Sequence, residues 1–192
     1  MVVIRKAAVN DAKAIAEYLL LAMKEIVFRF IGEEDLNKAY KFMLHFVEKN
    51  DNQYSWENCW IAEDGNKVIG AINLYDGAHL HQLRQPVIEH IRSNFNNNFA
   101  VEDETQAGEY YIDTLGVAPA RQGNGIGTKL LQFVIDEYVN KRKQTLGLLV
   151  DEENLNAKRL YLKLGFKSAG IRHLFGKRME HLQVSTVSPE KI

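Results

Sequence analysis

Apolar positions along this chain follow two rhythms, a period of two and a period near 3.6, and the rhythm changes sharply from segment to segment. Val2–Lys6 is short and β-branched and reads as an opening strand. Asn10 or Asp11 then caps a helix in which Ile15, Leu19, Ala22 and Ile26 fall at helical spacing. A second helical pattern, Leu36, Tyr40, Met43 and Val47, ends in the polar cluster Asn50-Asp51-Asn52. Residues 59–63 and 67–75 are strand-like runs joined by Asp64-Gly65-Asn66, a strong hairpin turn. From residue 76 to residue 108 the pattern loosens. There Pro86 can start a short helix carrying Ile88, Ile91 and Phe95, before the Asn-rich 94–98 and the acidic Glu102-Asp103-Glu104. A segment of that length between regular elements is more often functional or mobile than inert.

The second half is more regular. Residues 109–117 read as a strand, 126–141 as a helix, Leu146–Asp151 as an apolar strand, and 154–164 as a helix stopping at Gly165. Two short strands follow, at 168–171 and 175–182. Strand-helix-strand-helix in that order implies a right-handed crossover with both strands in one sheet. We expect one domain over residues 1–183 with 76–108 inserted in it, and a frayed polar tail over 184–192.

Composition narrows the class. The 192 residues are 46% hydrophobic and 26% charged, enough for a sizeable core under a polar surface. Lys and Arg total 24 against 25 Asp and Glu, a net charge of −1, which argues against sequence-independent nucleic-acid binding. No apolar run approaches the roughly 20 residues of a membrane span, and the first 18 residues lack a signal peptide's apolar stretch. Cys59 is the single cysteine, so neither an intrachain disulfide nor a cysteine zinc cage can form. A cytoplasmic location is the expectation.

The most informative segment runs from Val117 through Gln122-Gly123-Asn124-Gly125-Ile126-Gly127-Thr128. A strand ends, three glycines alternate, and a helix begins. Free N–H groups and the dipole at a helix N-terminus make an anion site, and glycines allow close approach to the backbone. A phosphate, best a pyrophosphate, fits over residues 123–128, with an ordinary glycine-rich turn as the alternative. The Walker A pattern is absent, and the Rossmann glycine spacing is not matched.

Gln122-x-x-Gly125-x-Gly127 after Leu115-Gly116-Val117 resembles the acetyl-CoA signature of the GNAT superfamily of N-acetyltransferases. Asn154-x-x-Ala157-x-x-Leu160-Tyr161-x-x-x-Gly165-Phe166 is similar to its next block, and Ile4-Arg5-Lys6-Ala7 with Asp11 resembles its usual start. The resemblance covers about 2–75 and 109–182; a minimal member has no counterpart of 76–108. It implies an α/β fold of the GNAT-like acyl-CoA N-acyltransferase type. That fold is a mixed, mostly antiparallel sheet with helices on both faces, splayed between the strands ending near Val117 and Asp151.

It also implies roles. Acetyl-CoA would be the cosubstrate, with no metal. Leu115, Gly116 and Val117 would hydrogen-bond the pantetheine arm like an added strand. The N–H groups of Gly123, Asn124, Gly125, Ile126 and Gly127 would hold the pyrophosphate, with Gln122 at the motif's first position and Thr128 supporting. Asn154 and Ala157 would lie against the pantetheine, and Lys158 would reach the adenosine phosphates or else be a solvated helix charge. Tyr161 falls on a buried stripe with Ala157, Leu160 and Leu164, so spacing alone reads it as core. The motif makes it the general acid for the departing thiolate.

The acceptor amine must lose a proton, since an alkyl ammonium has a pKa near ~10.4. Strand alternation puts Glu109, Tyr111, Asp113, Leu115 and Val117 on one face. Carboxylates there need a partner, a shifted pKa or a wet cleft. Asp113 is the first candidate base and Glu109 the second, with a structural ion pair or hydrogen bond as the alternative. His79, His81 and His90 offer no convincing metal set. They and the 85–95 helix are expected to line or cover the acceptor pocket. Cys59 beside Trp60 reads as core, and His45 has no partner that can be named.

The reading is direct transfer of acetyl from acetyl-CoA to a primary amine, in a small molecule or a protein, within a ternary complex. The acids at 102–104, 109 and 113 mildly favour a cationic acceptor such as a polyamine, amino sugar or lysine. A non-catalytic acyl-CoA sensor and an unrelated nucleotide-binding domain are the alternatives. Neither a nucleic acid nor a membrane is expected as a partner, and a homodimer is plausible by resemblance.

Overall fold

In a computed structural model, which describes residues 1–186, seven strands form one sheet in the order β1-β2-β3-β4-β5-β7-β6. They are β1 Val2–Lys6, β2 Cys59–Asp64, β3 Lys67–Asp76, β4 Tyr110–Val117, β5 Leu146–Asp151, β6 Lys167–Leu174 and β7 Lys177–Val184. Neighbours run antiparallel except β4 and β5, which are parallel. The helices are α1 Ala12–Ile31, α2 Leu36–Val47, α3 Leu80–Asn94, α4 Ile126–Val134 and α5 Leu155–Lys163. A π-helical stretch, Ile135–Lys141, continues α4.

Local signals account for much of this. Asp35 caps α2 by accepting from the N–H groups of Asn37 and Lys38. Gly32 ends α1 in the left-handed conformation, and Gly65-Asn66 turns the β2–β3 hairpin with both residues at positive φ. Alternation along β2 and β3 then feeds two cores. Ile61 and Ala71 join Ile15, Leu19, Val27 and Met43 of α1 and α2. Ala62 and Ile72 join Leu130, Leu131 and Val134 of α4 on the other face. Helices on both faces of a largely antiparallel sheet match the expected α/β class.

β4 and β5 pair only from Tyr110 to Ile112 against Leu146 to Leu148. Beyond those rungs they diverge, as expected for a splayed sheet, and β4 has an unpaired edge. The register of β4 against β3 also slips. Asn73 faces Thr114 while Leu74 faces Ile112, which leaves Asp113 as the extra residue of a bulge.

That bulge overturns the expectation of one face carrying residues 109, 111, 113, 115 and 117. An inserted residue reverses the alternation beyond it. Leu115 and Val117 therefore turn toward α4, where their side chains lie 3.6 and 3.8 Å from the Cβ position of Gly127. Thr114 turns toward α1, its hydroxyl 3.6 Å from the Met23 sulfur. Gly116 presses against the same helix, and any side chain there would run into the Tyr18 backbone.

Three element boundaries differ from expectation. The helix assigned to start at Pro86 starts six residues earlier and carries the proline inside it. Burial of Leu80, Val87 and Ile91 outweighs the lost hydrogen bond. β6 is longer than expected, β7 is shifted two residues toward the C-terminus, and Phe175 belongs to the turn between them, at φ 53° beside Gly176 at 74°. The Phe175 ring packs against Phe30 with centroids 5.8 Å apart, which holds a conformation unusual for phenylalanine. Val184, assigned to the tail, pairs with Leu146 in β7. Residues 187–192 of that tail lie outside the described residues.

Candidate active site

The divergence of β4 from β5 opens a cavity of about 520 Å³. Its walls come from α1, α3, β4, the start of α5 and the β6–β7 turn. Asp113, Thr114 and Leu115 of β4 line it, with Asn154, Ala157, Leu160 and Tyr161 on the α5 side. Asp113 reaches it on the same face as Tyr111, and the bulge turns Thr114 to that side as well.

Asp113 sits at the centre of a polar cluster. Gln53 Nε2 donates to Asp113 Oδ2 at 2.7 Å and to Glu104 Oε1 at 2.8 Å. The Tyr75 hydroxyl lies 2.9 Å from Glu104 Oε1 and 3.2 Å from Asp113 Oδ2, and Thr114 Oγ1 donates to Asp113 Oδ1 at 2.9 Å. Burial pushes the Asp113 carboxyl above the usual carboxylate range, against the pull of these donors. Glu104 is ion-paired with Arg84, and the two are 5% and 4% exposed. Arg84 also holds Asp103 at 3.1 Å.

Glu109 is not among the residues lining this cavity. It is buried just before β4, where it accepts from Thr105 Oγ1 at 2.6 Å and from Gln183 Nε2 at 2.7 Å, with His181 Nε2 at 2.8 Å. A side chain at residue 147 of β5 would displace its carboxylate from this position. Burial alone would raise the Glu109 carboxyl; its three partners together bring it below the usual range. The second candidate base is thus a cross-strand tie at the closed end of the splay.

Tyr161 is half-buried, lines the cavity and packs edge-on against Phe166, centroids 5.8 Å apart. Burial pushes its phenol above 10, which keeps the proton on it at neutral pH. Asn154 Oδ1 accepts from Ala157 N–H at 3.1 Å and so caps α5 at the cavity edge. Lys158 pairs with Glu180 of β7.

The glycine loop stands outside the cavity lining, at the N-terminus of α4. Gly123 and Gly125 have φ of 76° and 74°, with no other atom within 4 Å of their Cβ positions. The first helical hydrogen bond runs from Lys129 N–H to Gly125 O, so the amides of Ile126, Gly127 and Thr128 have no carbonyl of their own helix to bond. Gln122 does not extend into this cradle; its Nε2 donates to Val117 O at 3.2 Å and fixes the strand end. Arg121 anchors the loop to Asp64 of the hairpin at 3.0 Å.

The histidines expected around the pocket do not line it. His79 and His81 are exposed near Asp76 and Asp103, and His90 stacks on His45 with centroids 4.5 Å apart. From the same helix it is Arg84, Val87, Ile88 and Ile91 that face the cavity. Gln53, Tyr75, Arg84 and Glu104 carry the polar cluster, and no motif singled them out. The only sequence signal for any of them is the acidic run containing Glu104.

Comparison with known proteins places these features. A model described as the Acetyltransferase (GNAT) family matches residues 22–166. N-alpha-acetyltransferase RimI of Mycobacterium tuberculosis is 39% identical over 67 residues, covering 35% of this chain and 40% of that protein. Spermidine N(1)-acetyltransferase of Escherichia coli K12 is 26% identical over 140 residues, covering 66% of this chain and 69% of that protein. The match thus spans less than half of the first relative and about two thirds of the second. The crystal structure of an N-acetyltransferase from Staphylococcus aureus Mu50 superimposes with a TM-score of 0.82 at 23% identity, over 95% of this chain and 100% of that one. Three further structures of this fold, 17–19% identical, carry bound acetyl-CoA.

Proposed function

This chain belongs to the GNAT family of acetyltransferases, and from that premise we propose that it transfers acetyl from acetyl-CoA to a primary amine by direct attack in a ternary complex. The observation that carries the reading is the cavity at the β4–β5 opening, which brings an inward-turned Asp113 and the phenol of Tyr161 into one space.

The residues present fit the cosubstrate. The unpaired edge of β4 at Leu115, Gly116 and Val117 suits a pantetheine arm lying as an added strand. The free amides of residues 126–128 and the open Cβ positions of Gly123 and Gly125 suit a pyrophosphate at a helix N-terminus. Thr128 and Asn124 flank that cradle, and Gln122 braces it from behind through Val117.

Asp113 holds the acceptor ammonium and takes one proton from it, leaving a neutral amine to attack the thioester carbonyl. Its carboxyl, held high by burial, is a stronger base than an exposed aspartate once ionised. As the carbon–sulfur bond breaks, Tyr161 gives its proton to the departing thiolate and regains one from the new amide nitrogen. The products are the acetylated amine, free CoA and one proton left on Asp113. Glu109 tensions the strands and stays outside the chemistry.

Calorimetric titration with acetyl-CoA, followed by CoA-thiol release against a panel of amines, tests this. Binding with turnover on an amine supports it. Binding without turnover on any amine would mark a sensor, and absence of binding would return the glycine loop to an ordinary turn.

A further inference from the structure

Most of the acids that mildly favoured a cationic acceptor are held by a backbone N–H or by a basic side chain. Glu102 accepts from the Phe175 N–H at 3.1 Å, Asp103 and Glu104 are held by Arg84, and Glu109 is tied to His181. Asp113 is bonded only by neutral groups, Gln53, Tyr75 and Thr114, and, unlike Glu102, it lines the cavity. Of the charged side chains lining that cavity, Arg84 and Glu104 pair with each other, which leaves Asp113 as the one carboxyl there without an ion pair.

The rest of the cavity wall on the α1 and α3 side is apolar. Met23, Ile26, Phe30, Ile91, Phe99 and Phe175 enclose it, from α1, α3, the 95–108 segment and the β6–β7 turn. That segment has a structural role: Phe99 packs edge-on against Phe30 at 5.4 Å, and Arg92 holds its carbonyl at 2.9 Å. A polyamine carries several charges, and each beyond the first would be buried here against hydrocarbon with no counter-charge.

We propose that the acceptor is a small primary amine with a single positive charge and an apolar body, its ammonium at Asp113 and its body between Met23, Ile26, Phe30, Ile91, Phe99 and Phe175. This deepens the acetyltransferase reading and rests on it. The class departs from the acceptor named for the Escherichia coli relative, whose polyamine needs more counter-charge than this cavity holds.

The test uses the intact chain and a matched pair of amines. Acetyl-CoA binding is measured first by calorimetry. CoA-thiol release is then followed at neutral pH with hexylamine and with 1,6-diaminohexane, which have the same length and differ by one terminal ammonium. We expect hexylamine to have a kcat/KM roughly 30-fold higher, since the second ammonium loses its hydration without gaining a partner. Phe175→Ala, at a surface turn, is expected to raise the hexylamine KM about fivefold with little change in kcat, by removing apolar contact area. Equal or better use of 1,6-diaminohexane or spermidine overturns the proposal. So does acetyl-CoA binding with no turnover of hexylamine. Failure to bind acetyl-CoA overturns the acetyltransferase reading beneath it, an outcome the calorimetry separates from the other two.

Discussion

Gln53 and Asp113 are sixty positions apart in sequence, yet the Gln53 carboxamide donates to Asp113 Oδ2 at 2.7 Å and also contacts Glu104 at 2.8 Å and the Tyr75 hydroxyl at 3.1 Å. One side chain thus aims two carboxylates at a shared point. Gln53→Ala is expected to lower kcat/KM about tenfold with little change in acetyl-CoA affinity, because it loosens Asp113 without touching the glycine loop. An unchanged kcat/KM would mean that Asp113 needs no positioning.

Asp113→Asn removes the proposed base and its charge. We expect kcat/KM to fall about 100-fold and its rise with pH to disappear. Stability moves the other way. The Asp113 pKa is raised in the fold, so the native state holds the proton more tightly than the unfolded chain, and stability drops as pH rises from the ordinary aspartate value through the raised one. The asparagine variant escapes that loss. Thermal melts at pH 8 should show it at least as stable as the parent, with its relative advantage shrinking toward pH 4.

Tyr161→Phe deletes the phenolic proton and leaves the packing on Phe166 in place. The expected result is a kcat lower by about 100-fold with acetyl-CoA affinity nearly unchanged. A parallel loss of binding measured by calorimetry would assign Tyr161 to packing.

Glu109→Gln probes the tie at the closed end of the splay. The folded-state pKa of Glu109 is lowered, so its ionised form stabilises the protein above the ordinary glutamate value, and that stability is lost as pH falls through the lowered one. Replacing it should reduce stability at pH 7 by about 2 kcal/mol, the scale of hydrogen bonds to a buried charge. Chemical denaturation at pH 7 and pH 4 checks this, the difference narrowing at the lower pH.

Gly125→Ala forces a side chain onto a residue at φ 74°. Backbone strain of about 1–2 kcal/mol is expected in the free protein, since no protein atom stands in the way. A tenfold or larger rise in the acetyl-CoA Kd, roughly the loss of one hydrogen bond to a charged ligand, would show that the loop cradles phosphate. An unchanged Kd would not.

Local chemistry carried much of this fold into view. The Gly65-Asn66 turn, the helix beginning at Asn154 and the glycine loop at 123–127 depend on residues close in sequence, so their signals stand in the sequence. The same holds for the parallel β4–β5 pair, which strand-helix-strand order implies. Three readings failed where a distant partner decided the outcome. Pro86 lies within a helix because Val87 and Ile91 are buried, and Phe175 turns a hairpin because Phe30 receives its ring. The face carried by Leu115 and Val117 of β4 was misread because alternation is counted along one strand, whereas a bulge is made by the pairing of two.

The site divides along the same line. The loop for the cosubstrate and the position of Tyr161 follow from contiguous motifs, because phosphate binding at a helix end needs only consecutive amides. The acceptor side has no such contiguity. Gln53, Tyr75, Arg84, Glu104 and Asp113 come from five separate segments, and whether an acid among them is paired or bare depends on which cation the fold sets beside it. Charge composition counts acids and bases. Three-dimensional packing pairs most of them and leaves Asp113 held by neutral donors without an ion pair, since a buried charge is defined by its neighbours in space and not by its place in the chain.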